Sequence, residues 1–256
     1  MSLIDIKKQD NILLIGLNRP EKMNAFTSDM LKSLSMAYGQ LEEDPALRCG
    51  LVYANGKNFT AGLELNEVGP KVQNGENLFP AGGLDPLQLF GAQRSKPVVT
   101  AVQGYCLTIA IELILANDIC VAARDCQFGQ IEIKRGIFPF GGATIRFVER
   151  CGWGNAMRYL LTGDLFDAEE ARRIGLIQEI AEDPFQKALE IAKTIAAQAP
   201  LAVQATLLNA RKAKSEGFEA AKNDLYPTLM RLMQSDDARE GVQSFVERRK
   251  ARFEGK

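Results

Sequence analysis

Glu112 is the one charge inside the apolar stretch IAIELILA, residues 109–116. A carboxylate in such a setting is seldom buried without a partner or a task. A second carboxylate, Glu132, follows in Phe128-Gly129-Gln130-Ile131-Glu132. Two carboxyls of this kind suit general acid–base chemistry. The plain alternative is a helix-surface Glu112 and a Glu132 that pairs with Lys134 or Arg135. The 256 residues contain no histidine, which removes the Ser-His-Asp triad, the Cys-His pair and any His-containing zinc site. GxSxG and the phosphate-loop pattern GxxxxGKS/T are absent too. Proton transfer therefore falls to carboxylates, Lys, Tyr or Cys.

The segments that must position these groups alternate between strand and helix patterns. Ile12 to Leu17 (ILLIGL) reads as a buried strand that ends at Asn18-Arg19-Pro20. Thr27 or Ser28 can cap a helix carrying Met30, Leu31, Leu34 and Tyr38 at helical spacing. Cys49 to Ala54, Pro97 to Val102 and Asp118 to Ala122 read as further strands, and Ile111 to Leu115 as a buried helix. Gly69 to Gly83, with its glycines and prolines, reads as a mobile surface loop. This alternation predicts an α/β fold with parallel strands. After about residue 184 the pattern is helical: Phe185 to Ala199, Leu201 to Lys214, Tyr226 to Gln234 and Asp236 to Lys250. The division expected is a core of residues 1–183 and a helical segment of residues 184–256.

Composition narrows the function classes. At 46% hydrophobic, 25% charged and net charge −1, the chain has the make-up of a globular protein without a field for nucleic acid or anionic membrane. No apolar run reaches the roughly 18 residues that span a bilayer, and the N-terminus lacks the apolar core of a signal peptide. Five cysteines without CxxC spacing fit reduced, buried thiols and a cytoplasmic location. Tyr105 and Trp153 read as packing residues.

Four segments arrive in a particular order: Leu17-Asn18-Arg19-Pro20-Glu21-Lys22-Met23-Asn24-Ala25; Asn58 to Leu65; Lys96-Pro97 through Gly104-Tyr105 to Glu112 and Asp118; and Phe128 to Arg146, with Thr162-Gly163 and Ala168 to Gly175 beyond. They resemble the patterns LNRPEKxNAL, FxAGxDL, KPxxAAxxGxxxGGGxEL…CD, FxxPExxxGxxPGxGGxxRL and LTGxxxxAxEAxxxGLV of the enoyl-CoA hydratase/isomerase (crotonase) family. The match runs from Ile12 to Ile180, and Phe245 to Lys250 is similar to the family's closing helix.

The resemblance implies a spiral of ββα turns, a C-terminal helical trimerisation segment, and assembly as a trimer or dimer of trimers. It implies an oxyanion hole for a thioester carbonyl built from the backbone N–H groups of Leu63 and Ile109. It implies that Glu112 and Glu132 are the catalytic pair, one activating water and the other delivering a proton. Two carboxyls in one apolar pocket repel each other's charge, so at least one pKa should rise. Coenzyme A enters as part of the substrate, with no separate cofactor and no metal. Lys22, Ala25, Ala61, Leu63 and Glu64 match positions that line the substrate and coenzyme A site, and Phe245 and Lys250 match positions that approach it, often from a neighbouring subunit. Read without the family, Arg19 and Lys22 are ordinary turn charges, Glu64 is a structural carboxylate, Phe245 is a core aromatic and Lys250 is a solvated lysine.

Three departures stand against the pattern. Thr108-Ile109-Ala110 replaces the glycine triplet, which predicts a narrowed or reshaped acyl pocket. Glu64 replaces an aspartate, and Ile131 replaces the proline before Glu132. Hydration of a 2-enoyl-CoA is the expected function. Δ3-Δ2-enoyl-CoA isomerisation is the alternative, and Glu112 weighs against it because isomerases commonly lack that carboxylate. Other acyl-CoA reactions share the scaffold. A non-catalytic RNA- or protein-binding role is the reading from a different class, opposed by the near-zero charge and both glutamates.

Overall fold

In the computed structural model, which describes residues 2–256, the chain opens with an antiparallel pair, β1 (Ile4–Gln9) and β2 (Ile12–Leu17). Every residue of β2 is buried, as a strand covered on both faces requires. Thr27 caps α1 (Ser28–Glu43) by accepting the Met30 N–H, and Met30, Leu31, Leu34 and Tyr38 form its buried face. There follow β3 (Cys49–Ala54), α2 (Leu65–Gln73), β4 (Val98–Val102), β5 (Tyr105–Leu107), α3 (Ile109–Ala116), β6 (Ile119–Ala123) and β7 (Gln127–Gly129). Then come α4 (Ala143–Cys151), α5 (Trp153–Thr162), β8 (Phe166–Asp167), α6 (Ala168–Arg173) and β9 (Glu179–Ala181). The chain closes with four helices: α7 (Pro184–Ala196), α8 (Pro200–Glu216), α9 (Phe218–Met233) and α10 (Asp236–Val246).

The strands form two sheets. The larger runs β1-β2-β3-β4-β6-β9, parallel from β2 onward, and the smaller runs β5-β7-β8. Period-two alternation sorts the larger sheet's side chains between two cores. Leu13, Ile15, Leu17, Val52 and Val102 join the main core with α1 and α3, while Ile12, Leu14, Leu51, Val99 and Val121 pack beneath α7.

α3 is buried along its whole length and is tethered at its C-terminal end. Arg150 donates to the carbonyls of Ile114, Leu115 and Asn117 at 3.0–3.1 Å. The fully buried Arg94 donates to Ala116 O at 3.0 Å and to Asp118 at 2.7 Å. The Asn117 amide joins Tyr38 to Thr100. Cations and donors there satisfy the orphan carbonyls and the negative end of the helix dipole.

Several expectations change. Gly69 to Gly83 is not loop throughout, because α2 takes its first part. Glu67 accepts from Ser28 and pairs with Lys71, and Val68 is buried, which outweighs Pro70 and Gly69. The last helix stops at Val246, so Lys250 lies beyond it. Tyr105 and Trp153 do not pack into this chain's core, since Trp153 is 70% exposed and Tyr105 43%. No residue of α8 is buried, and Leu225, Tyr226 and Met233 on α9, with Val242 and Phe245 on α10, are exposed. All five cysteines are buried free thiols. No helix among the described residues is long and apolar enough to cross a membrane.

Candidate active site

The N-terminal end of α3 faces a cavity of about 240 Å³, whose walls include Ala61, Leu63, Ile109, Glu112, Ile131 and Glu132. Four turns of chain meet there. The stretch after β3 is stitched to the segment after the 3-10 turn Pro20–Lys22: Ala61 N donates to Met23 O, Phe26 N to Gly62 O and Glu64 N to Phe26 O. This pairing leaves the Leu63 N–H turned the other way, with no acceptor among the described residues. The Ile109 N–H is also without an acceptor, because it belongs to the first residue of α3.

Thr108 explains how the replaced glycine triplet is accommodated. It adopts φ 52°, the left-handed region that a glycine takes freely. Its Oγ1 occupies the space left by Gly62, where an added Cβ would stand 2.5 Å away. Gly62 itself has φ 106°. The threonine and the glycine are therefore a matched pair between the two free N–H groups, and Ile109 forms part of the cavity wall.

Glu112 is buried, and its Oε1 accepts the Gly141 N–H at 2.6 Å. A Cβ on Gly141 would lie 2.1 Å from Oε2, so only glycine permits this approach. Burial first, and then the Glu132 charge, push the Glu112 pKa up to about 7, opposed by the Gly141 and Ala143 N–H groups and the Arg146 charge. Arg146 is anchored to the carbonyls of Leu87 and Gln88.

Glu132 opens the 3-10 turn Glu132–Arg135, with Ile131 as its N-cap in the place of the absent proline. It too is buried, and burial raises its pKa to about 7, opposed only by its own backbone N–H. Its Oε1 accepts from Gln130 Nε2 at 3.3 Å, and its Oε2 has no partner. Like-charge repulsion acts on both carboxyls, so ionising one makes the other harder to ionise.

Ala61, Leu63, Ile109, Glu112 and Glu132 thus share one cavity. Ala25 and Glu64 are not in its walls. Ala25 precedes Phe26, which pairs with Leu63; its carbonyl accepts from Arg19, and Arg19 also holds Glu64 at 2.5 Å. Lys22 is exposed on the adjoining turn. Phe245 and Lys250 are not part of this cavity within one chain; Lys250 borders a separate hollow with Asp236, Asp237 and Glu240. Arg135 lies in the wall without pairing with Glu132, and Lys134, outside the wall, does not pair with it either. Ile137, Phe140 and Gln130, the last bonded to Glu132, carried no signal in the sequence. Among the described residues no group of three or more His, Cys, Asp or Glu is arranged to hold a metal.

The raised pKa values have a consequence for stability. Between the ordinary 4.5 and about 7, the folded chain binds more protons at Glu112 and Glu132 than the unfolded chain does. Stability therefore falls as pH rises through that window. Glu112→Gln and Glu132→Gln abolish the penalty. Each variant is expected to melt above the parent at about pH 8 and to lose that advantage near pH 4.5. Thermal melts showing no gain at the higher pH, or an equal gain at both, contradict the burial of the charges.

The comparisons bear on which family builds such a site. A family model described as enoyl-CoA hydratase/isomerase matches residues 7–256. A crystal structure of a probable enoyl-CoA hydratase/isomerase from Mycobacterium abscessus superposes with a TM-score of 0.98 at 50% identity, covering 100% of this chain and 99% of that one. Enoyl-CoA hydratase EchA19 of Mycobacterium tuberculosis is 32% identical across 98% of this chain and 96% of its own length. The 2,3-dehydroadipyl-CoA hydratase of Escherichia coli is 29% identical over the full length of both. With this match along nearly the whole sequence and the same fold throughout, the chain belongs to the enoyl-CoA hydratase/isomerase (crotonase) family.

Proposed function

We propose that the chain hydrates a 2-enoyl-CoA thioester to a 3-hydroxyacyl-CoA. The observation that carries this reading is the presence of two buried carboxyls and two acceptor-free backbone N–H groups around one cavity. The thioester oxygen accepts from Leu63 N–H and Ile109 N–H. Fixed amides in a dry site stabilise the enolate-like charge that develops there, and one such donor is typically worth about 10²–10³ in rate.

The partners of each glutamate support a division of roles. Glu112 is met by donors only, which favours its ionised form and makes it the base. Glu132 meets only one longer donor, the Gln130 amide at 3.3 Å, and no cation, so its carboxylate is the less well stabilised of the two and is read as holding the proton. Glu112 takes a proton from water as the water oxygen bonds to C3. The C2–C3 π electrons move toward the thioester, and Glu132 gives its proton to C2. Both pKa values near 7 suit this exchange at neutral pH.

Lys22, Ala25, Ala61 and the Arg19–Glu64 pair line the approach for coenzyme A, which is substrate and not cofactor. The exposed apolar faces of α9 and α10 fit self-association as a trimer or a dimer of trimers. Phe245 and Lys250 would then reach a neighbour's site.

Two measurements test the reading. Glu112→Gln and Glu132→Gln should each lower hydration of the preferred enoyl-CoA by about 10²–10⁴-fold. The double variant should be little worse, because the pair acts as one unit. Loss of double-bond migration in Glu132→Gln alone, with Glu112→Gln intact, would establish isomerisation instead. Light scattering should give a mass three or six times that of the chain, and a stable monomer at micromolar concentration would refute the assembly.

A further inference from the structure

We propose that Arg135 reads the far end of the acyl chain, and that the substrate is a 2-enoyl-CoA whose chain ends in a carboxylate. This names the substrate class for the hydration above and rests on that reading. Arg135 is the one cation among the residues that line the cavity. It stands three residues after Glu132 in the 3-10 turn Glu132–Arg135. Side chains at i and i+3 eclipse in such a turn, so the two project from one face and reach the same cavity.

A glutamate and an arginine so placed are poised to pair, yet they do not. Glu132 Oε1 is met by Gln130 and Oε2 by nothing, and Arg135 makes no salt bridge or side-chain hydrogen bond among the described residues. Its charge has no part in the Glu132 pKa, which burial raises and only that residue's own N–H lowers. The guanidinium is thus clear of the acid–base pair. The neighbouring cations are engaged elsewhere: Lys134 lies against Gly163, and Arg146 is anchored to the carbonyls of Leu87 and Gln88.

The Leu63 and Ile109 N–H groups take the thioester oxygen, and the two glutamates serve the water and the C2 proton. What remains for the chain beyond C3 is Leu65, Ile131, Ile137, Phe140 and Arg135. The four apolar side chains suit methylene groups. A guanidinium beside them has nothing to bind in a methyl end, but it offers a carboxylate two parallel N–H donors. Arg135 is exposed although it lines the cavity, so its cation stands where the cavity meets solvent. A chain end keeps its charge there, as it could not among the apolar walls. At about 240 Å³ the cavity is small for a ligand site, which favours a short chain. The phosphates of coenzyme A have Lys22 instead, on the separate turn stitched to Ala61.

The test compares two pairs of thioesters on the full-length protein. One pair is trans-2-hexenoyl-CoA and its analogue with a carboxylate in place of the terminal methyl. The other is hexanoyl-CoA and adipyl-CoA, which cannot be hydrated and report binding alone. Both kcat/KM and affinity should favour the carboxylated member by about 10–10²-fold, as a charge-assisted contact allows. Added salt should shrink that preference. Arg135→Gln should remove most of it, and Arg135→Lys, which keeps the charge but loses the fork, should retain part. Arg135 is exposed, so both variants should fold. Equal handling of the two members by the parent, or a preference left intact in Arg135→Gln, overturns the inference. An equal loss in Arg135→Gln on both members and on coenzyme A alone assigns the arginine to the phosphates, and overturns it too. A preference within the saturated pair, in a protein that hydrates neither enoyl thioester, would overturn the hydration reading and uphold the carboxylate site.

Discussion

The structure depends on keeping two like-charged carboxyls in one apolar cavity. Water would stabilise Glu112 and Glu132 as separate ions, and the fold denies it to both. The surroundings then compensate unequally. α3 directs its N-terminal end at the cavity, and this end places Glu112 beside backbone donors. Its C-terminal end is secured by Arg94, Arg150 and the Asn117 amide, at the other end from the two carboxyls. The helix is thus tethered by polar groups at one end and free to meet a ligand at the other. Glu132 has a single long amide contact, and burial raises its pKa to about 7 as it does that of Glu112.

The same economy governs the backbone donors. Leu63 and Ile109 present N–H groups that pairing and helix geometry leave without acceptors. Between them, Thr108 holds a conformation that costs on the order of 1–3 kcal/mol in a residue with a side chain. Such strain persists only where the surroundings over-determine it. Here the Thr108 N–H is bonded to Gly129 O, and its side chain is seated against Gly62. A glycine triplet would reach the same backbone without the strain, whereas threonine and isoleucine add a stiffer, more filled wall.

Much of this was legible in the sequence. β2, β3 and β6 announce themselves as short runs of apolar residues, and the one charge in IAIELILA marks α3 as more than core. The pairing of Glu112 with Glu132 came from resemblance, since no spacing rule links residues on a helix and a later turn. What stayed hidden is tertiary. β5, β7 and β8 are two or three residues long, and β1 is half exposed, so neither has a periodic signal. α2 contains Gly69 and Pro70 and owes its existence to Glu67 meeting Ser28, an interaction between residues 39 positions apart. Gln130 reads as an ordinary polar residue until the fold buries it beside Glu132.

The most direct test is a carbon-13 titration of the glutamate carboxyls, with Glu112 and Glu132 assigned through their Gln variants. Two coupled steps near pH 7, well above the ordinary 4.5, are expected, with the second carboxyl ionising later because the first is already charged. Removing either glutamate should make the remaining one ionise more readily. Two independent titrations close to 4.5 would show that the carboxyls are neither buried nor coupled, and would contradict the account at its root.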